Sequence, residues 1–384
     1  MNFAPTEEQA LIQESARRFA TTELAPIAGE LEDPAARPRY LAVLKQLAEL
    51  GFMGLNVSPQ YGGTGAGVVA FSLAMTEISR ACASTGVSMS VNNLVCEVVQ
   101  SIGTEAQKER YITRVCSGEF PCGSFCLSEA GAGSDPSRMK TRAVRDGDGW
   151  VLNGTKMWIT SGEYAGFFVV WAVTDASAPS GKGISCFIVD ADNPGVTVGR
   201  AEHKMGQRAS STNPVSFDDC RVGSDAMLGE ENAGFRIAVG ELTGGRIGIA
   251  SLALGIGSAA IDFARQYITE REQFGQKIAD FQGIQFQLAD TMTELEAGRL
   301  LVLNAAWMKE TGQPYMQAAS MAKLYCTEAA NRACYTALQF MGGAGYTAEY
   351  PLERYARDAR VTTIYEGTSE IQRVIIAREL LKSL

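Results

Sequence analysis

The hydrophobic period of this 384-residue chain changes twice. Up to about residue 120 apolar residues recur every three to four positions. From 121 to about 228 they fall in short β-branched and aromatic runs. From about 229 to the end the helical period returns. Such an order predicts helices, then a sheet, then helices, each burying its own apolar face. Thr6 and Gln9 make a capping box ahead of Leu11, Ile12, Ala16 and Phe19 at helical spacing. A second helix is expected over Tyr40–Leu50, stopped by Gly51, and helices resume from about Val68 to Ser117. "FFVVWAV" (Phe167–Val173) and "ISCFIVD" (Ile184–Asp190) read as strands. "GWVLNGTKMWIT" (Gly149–Thr160) reads as a hairpin turning at Asn153-Gly154. Leu295–Met308 and Ala318–Met341 read as long helices of a bundle. The last helix, from about Ser369, carries Ile371, Val374, Ile375, Leu380 and Leu381. The expected domains are 1–120, 121–228 and 229–384, a multidomain α+β chain with no internal repeat.

A chain 46% hydrophobic at this length can bury a large core. Its formal charge of -9, with dispersed Lys and Arg, disfavours a nucleic-acid partner. Nine cysteines with no C-x-x-C suggest neither a disulfide framework nor a zinc site. The N-terminus has early acids and no apolar core, unlike a secretory signal. No apolar run reaches the ~18 residues of a membrane span. These features predict a soluble, cytoplasmic protein without a membrane partner. The single histidine, His203, excludes multi-histidine metal sites, and it is expected on a solvated loop. No metal site is expected, and any catalysis must use carboxylates, hydroxyls, thiols or a cofactor.

Four stretches could carry chemistry. "CLSEAGAGSDPSRMKT" (Cys126–Thr141) is a small-residue loop after a strand, suited either to an ordinary turn or to a ligand's close approach. In "KMWITSG" (Lys156–Gly162), Trp158 is either a core aromatic or a stacking surface for a planar ring. In "TEREQFGQK" (Thr269–Lys277), Arg271 is either a solvated helix residue or a phosphate clamp. "QFMGGAGY" (Gln339–Tyr346) closes a helix with glycines that either cap it or admit a ligand. Near the C-terminus, "TTIYEGTSEIQR" (Thr362–Arg373) sets Glu366 on a turn before the last helix, where Ser369 and Gln372 fit a capping box. Glu366 is either an acid placed to suit a helix dipole, worth at most about 1 kcal/mol, or a catalytic base.

Taken together and in order, "YGGTG", "LSEAGAGSD", "NGTKMWIT", "REQFG", "QFMGGAGY" and "IYEGTSEIQR" resemble the acyl-CoA dehydrogenase family over essentially the whole chain. "GRIGIASLALG" and "MSVNN" look most like its short-chain and short/branched-chain members. The resemblance implies a helical N-terminal domain, a middle β-barrel or sandwich, and a C-terminal four-helix bundle. It implies non-covalent FAD between the last two domains, an adenine half reaching a neighbouring subunit, and a homotetramer built as a dimer of dimers. By the same resemblance Phe125, Leu127, Ser128, Trp158 and Thr160 line the flavin ring. Arg271 and Phe274 meet the pyrophosphate and adenine side. Gln339 and Gly343 touch the partner's FAD, and Thr368 and Glu370 lie along the cofactor. Ser134, Arg246, Tyr365 and Gly367 belong to the substrate side, with Ser134 on the CoA arm.

The implied reaction is α,β-dehydrogenation of an acyl-CoA, with Glu366 taking the α-proton as hydride leaves the β-carbon for flavin N5. The implied electron acceptor is an electron-transferring flavoprotein. Relatives that carry the base on another helix hold it at the position of Gly245, which here has no side chain. Relatives acting on dicarboxylic substrates carry an arginine just before "MSV". Here Gly86 and Val87 stand there, and the nearest arginine is Arg80, so a small apolar acyl group is expected. Departures from the usual motif are Ser128 for threonine, Ala130 for proline and Ser161 for asparagine. Rival readings are a desulfinase or oxidase on the same scaffold, and a relative that binds a partner without catalysis.

Overall fold

A computed structural model describes residues 4–382. The first helix, α1 (Glu7–Phe19), begins at a formed capping box in which Thr6 and Gln9 each satisfy the other's backbone N–H. α2 (Arg37–Glu49) ends at Gly51, whose φ of +80° suits glycine. α3 (Gly67–Ala81) and α4 (Ala83–Ile102) follow, and α4 is buried over most of its length.

The middle region is one eight-stranded sheet: β1 (Cys122–Cys126), β2 (Arg142–Asp146), β3 (Gly149–Thr160), β4 (Ala165–Val173), β5 (Ile184–Asp190), β6 (Val196–Val198), β7 (Thr212–Val222) and β8 (Met227–Leu228). Their order is β6-β7-β3-β2-β4-β5-β8, with β1 parallel to β4. The expected strands at 167–173 and 184–190 are β4 and β5. The expected turn at Asn153-Gly154 is absent: β3 runs straight through it, and the hairpin turns at Gly147 instead, between β2 and β3. Asn153 and Gly154 mark a register shift against β7. A Cβ at Gly154 would stand 2.7 Å from Thr141 Cα, so this glycine serves a close backbone approach.

Among the described residues five helices of nine residues or more follow: α5 (Gly234–Glu270), α6 (Gln282–Glu310), α7 (Met316–Met341), α8 (Leu352–Arg360) and α9 (Ser369–Lys382). α5, α6 and α7 pack on one another, α9 packs on α7, and α5 also packs on α3 and α4. By length and composition α5 could cross a bilayer, which reading apolar runs alone did not reveal, but 83% of its most apolar window is buried inside the fold. It is the central helix of the core. Its glycines permit that: a Cβ at Gly248 would lie 2.4 Å from Ser90 Oγ, and one at Gly255 2.4 Å from the Thr76 carbonyl.

Candidate functional site

Two groups of side chains hold the candidate residues, one on the sheet and one where α5, α7 and the last turn meet. The first is a wall built from β1 and the end of β3. Phe125 on β1 lies against Trp171 of β4, with ring centroids 4.3 Å apart. The Trp171 indole N–H donates to the Gly234 carbonyl at 2.8 Å, tying this wall to the start of α5. Met157 N–H donates to the Ser128 carbonyl at 2.9 Å, which brings Ser128 beside Trp158. Ser124 Oγ donates to the Thr160 carbonyl at 2.7 Å. A buried ion pair that sequence reasoning missed fixes this spacing. Lys156 is fully buried, and its ammonium donates to Glu129 Oε1 at 2.9 Å and to the Leu127 carbonyl at 3.1 Å. Glu129 also accepts from Lys140 N–H and from both the N–H and hydroxyl of Thr141. Burial pushes the Lys156 pKa down against the pull of Glu129. Burial works to raise the Glu129 pKa, but Lys156 and Thr141 outweigh it and hold the carboxyl below its ordinary range.

Trp158 is half exposed, with φ of +59°. A core reading of this tryptophan is therefore wrong: its ring is open to a ligand, and the backbone is strained to hold it there. Ser161, at φ +65°, is buried; asparagine tolerates that conformation better than serine, so the departure at 161 is locally costly. Gly131 and Gly133 have open space where a side chain would stand, and Ser134 is exposed on the same loop.

The second group surrounds Glu366. The turn has left-handed backbone at two successive residues, Glu366 (φ +51°) and Gly367 (φ +91°). The expected Ser369–Gln372 capping box does not form. Thr368 caps α9 instead, accepting from Ile371 N–H at 3.3 Å, while Ser369 Oγ donates to Glu328 at 2.7 Å. Gln372 is thereby free to reach back, donating to the Gly367 carbonyl at 2.9 Å and the Glu366 carbonyl at 3.3 Å. Glu366 Oε2 is buried without a hydrogen-bond partner. It faces Gly245, where a Cβ would stand 2.5 Å away, with Leu94 beside it. Among the described residues no acceptor pairs with the Glu366 N–H. Burial pushes the carboxyl from 4.5 up to about 7, against the pull of Lys323 and Arg246.

Arg246 is buried, its Nε is unpartnered, and its Nη1 lies 3.5 Å from Thr243 and Ser320 hydroxyls. Tyr365 is anchored by Gln207, whose amide donates to the phenol at 3.2 Å. Gln207 itself sits at φ +49° with its N–H on Asp358. Glu370 is exposed at the first turn of α9. Sequence reasoning also missed Lys323. Its signal was present: a lysine among Ala319, Ala322, Cys326 and Ala330 on the apolar stripe of α7.

The remaining candidates lie elsewhere in this chain. Arg271 caps the C-terminal end of α5, 25 residues beyond Arg246, or roughly 37 Å along the helix. Phe274, at φ +54° and 94% exposed, tops the small hairpin that follows. Gln339 and Gly343 are exposed at the far end of α7, with open space at Gly342 and Gly343. Seven non-glycine residues among those described have left-handed backbone, and three of them, Trp158, Phe274 and Glu366, are candidate site residues.

These parts fit a flavin dinucleotide by their own chemistry. An exposed indole stands beside hydroxyl-bearing strand ends on the sheet. A guanidinium, an exposed phenyl ring and an open glycine corner stand at the distal end. Comparisons with known proteins agree. Residues 6–119, 124–220 and 232–381 match the N-terminal, middle and C-terminal domains of acyl-CoA dehydrogenases. The chain is 47% identical to the mitochondrial short-chain specific acyl-CoA dehydrogenase of Mus musculus, covering 98% of this chain and 91% of that one. It superposes on butyryl-CoA dehydrogenase from Megasphaera elsdenii with a TM-score of 0.94 and 38% identity, covering 99% and 100% of the two chains. It also matches a chain in a structure of the electron transferring flavoprotein of Acidaminococcus fermentans, with a TM-score of 0.95 and 41% identity over 100% of both. This chain belongs to the acyl-CoA dehydrogenase family.

Proposed function

We propose that this protein is an FAD-dependent dehydrogenase of a short or short/branched acyl-CoA, forming the 2-enoyl-CoA with Glu366 as the base. One observation carries the assignment of the base: the buried, unpartnered Glu366 Oε2 over the vacant side-chain position of Gly245. Among the described residues no group satisfies that oxygen, and a buried polar atom of that kind calls for a partner that an incoming ligand can supply. FAD, when bound, supplies the acceptor for the β-hydride. Glu366 accepts the α-proton at Oε2. An ordinary carboxylate near pKa 4.3 is a poor base for a carbon acid, and burial brings this one to about 7, where it is both ionised and basic enough to act. The unpaired Glu366 N–H is available to the thioester oxygen, where negative charge develops. The strained turn is what lets one residue present both its N–H and its carboxylate to a small site.

The packing of α4 on α5 supports a short acyl chain. One helical turn from Gly245, Gly248 meets Ser90 and Phe71 with no room for a methyl group. Arg80, the nearest arginine upstream of the "MSV" stretch, is engaged with Asp262 at 2.7 Å rather than free for a second carboxylate. Retention of Glu366 favours dehydrogenation over the same-scaffold desulfinase and oxidase. The electron acceptor in this reading is an electron-transferring flavoprotein. The working compartment is reducing, in keeping with nine free cysteines.

Anaerobic titration with short acyl-CoAs of varied branching tests the proposal. Rapid bleaching of the flavin band by butyryl-CoA or a short branched acyl-CoA is the expected result. A yellow protein that no acyl-CoA bleaches would overturn it.

A further inference from the structure

The Glu366 turn has no regular backbone hydrogen bonds of its own, so something else must hold it. Lys323 is fully buried on the inner face of α7, and its ammonium donates to the Gly367 carbonyl at 2.6 Å. Gln372 grips the same carbonyl from α9. Two donors from two helices therefore fix the Gly367–Thr368 peptide, and Gln372 also holds the Glu366–Gly367 peptide through the Glu366 carbonyl at 3.3 Å. Because peptides are planar, holding these two in succession limits how the backbone at Glu366 and Gly367 can rotate. A buried ammonium facing one neutral carbonyl is a costly arrangement unless an anion is near. The charged and titratable groups around it are Glu366 on the turn, Arg246 on α5, Glu328 on α7 itself and Glu370 on α9. Glu328 is taken up by Ser369, and Glu370 is exposed. Glu366 is the buried anion left for it.

We propose that Lys323 is a positioning residue for α-proton abstraction: it clamps the Glu366–Gly367 turn through the Gly367 carbonyl and supplies the main counter-charge that keeps Glu366 ionised. The inference rests on Glu366 being the base. Arg246 is the second cation, but its Nε is unpartnered and its contacts are long, so it does not grip the turn. Burial lowers the Lys323 pKa to about 8, with Glu366 opposing, so the ammonium is present at neutral pH.

The test is exchange of the α-protons of acetyl-CoA into D2O, followed by NMR across pH with the FAD-loaded enzyme. Acetyl-CoA has α-protons and no β-carbon, so exchange reports proton abstraction without hydride transfer. Lys323→Met removes clamp and charge; Lys323→Gln keeps a donor and removes only the charge. Without the cation Glu366 holds its proton more tightly, so the acid limb of the exchange profile moves to higher pH. A shift of about one pH unit is expected in both variants, which is roughly a tenfold loss on that limb. The further loss from a slack turn, about tenfold, is expected in Lys323→Met and not in Lys323→Gln. If Lys323→Met does not fold, Lys323→Gln carries the test through the limb. Lower exchange with an unmoved limb, or exchange equal to the parent, would overturn the proposal. Glu366→Gln separates the two levels: exchange at the parent rate in that variant overturns the assignment of the base, and abolished exchange leaves the Lys323 outcome to stand by itself.

Discussion

At the residue scale, the proposed site turns on one carboxyl group, that of Glu366, which burial pushes toward the range of a useful base against the pull of Lys323 and Arg246. Glu366→Gln should retain FAD and acyl-CoA ester binding and lose turnover by about three orders of magnitude or more, measured as the rate of flavin bleaching. Activity of the parent should fall as pH drops through about 7, since the protonated carboxyl cannot accept the α-proton. The same shift has a cost in stability. A group whose folded pKa is raised stabilises the fold while protonated, and that contribution is lost as pH rises from about 4.5 to about 7. Glu366→Gln, always neutral, should therefore raise the thermal midpoint more at pH 8 than at pH 5, in scanning calorimetry at both pH values. An equal effect at both would show that the carboxyl is not desolvated. Glu366 was legible as a candidate from its turn residues, but its buried, unpartnered oxygen was not. That depends on Gly245, 121 positions away in the chain, having no side chain.

At the element scale, long periodic segments were legible and local pairing was not. α2 and β4–β5 lie where apolar spacing placed them, because burial of one face decides both period and position. The hairpin at Asn153-Gly154 and the cap at Ser369 were misplaced for one reason. Both local signals are real, but tertiary contacts compete for the same groups: Thr141 packs on Gly154, and Glu328 takes the Ser369 hydroxyl. The Lys156–Glu129 pair is the contact that makes an element of the loop after β1, joining it to β3. Removing one partner of a buried pair leaves the other charge uncompensated, at a cost of about 3–5 kcal/mol. Here Glu129 keeps three other donors, so Lys156→Met should fall near 3 kcal/mol in urea unfolding. The same variant should weaken FAD retention, measured by the flavin-to-protein absorbance ratio, because Ser128 and Trp158 sit on the two sides of that joint. Unchanged stability and flavin content would show that the Met157–Ser128 backbone bond suffices.

At the scale of the whole molecule, the candidate site residues are too far apart to serve one compact ligand in one chain. The resemblance puts Gln339 and Gly343 on a partner's FAD, and the physical reason is visible: the separation comes from the length of α5 and from which end of α7 carries Gln339. Arg246 and Arg271 are roughly 37 Å apart along α5, and Lys323 and Gln339 roughly 24 Å apart along α7. The distal set is exposed and apolar as well: Phe274 is 94%, Tyr346 80%, Tyr335 73% and Phe286 60% accessible. Aromatics so exposed at helix ends call for cover. In a homotetramer built as a dimer of dimers, the distal set of one subunit would complete the flavin site of its neighbour, and cofactor and assembly would then be linked. Ligand that binds only the assembled form stabilises that form by mass action. If the chain assembles through this distal set, Phe274→Ala should lower both FAD content and the fraction of assembled protein on dilution, while leaving the fold of each chain intact by circular dichroism. Added FAD should then restore the assembly, in sedimentation velocity at low protein concentration. If the variant loses FAD and remains fully tetrameric at every concentration, the distal residues serve only the cofactor. If it stays tetrameric with full FAD, the distal set belongs to neither, and each chain must hold its flavin through the wall at Trp158 alone.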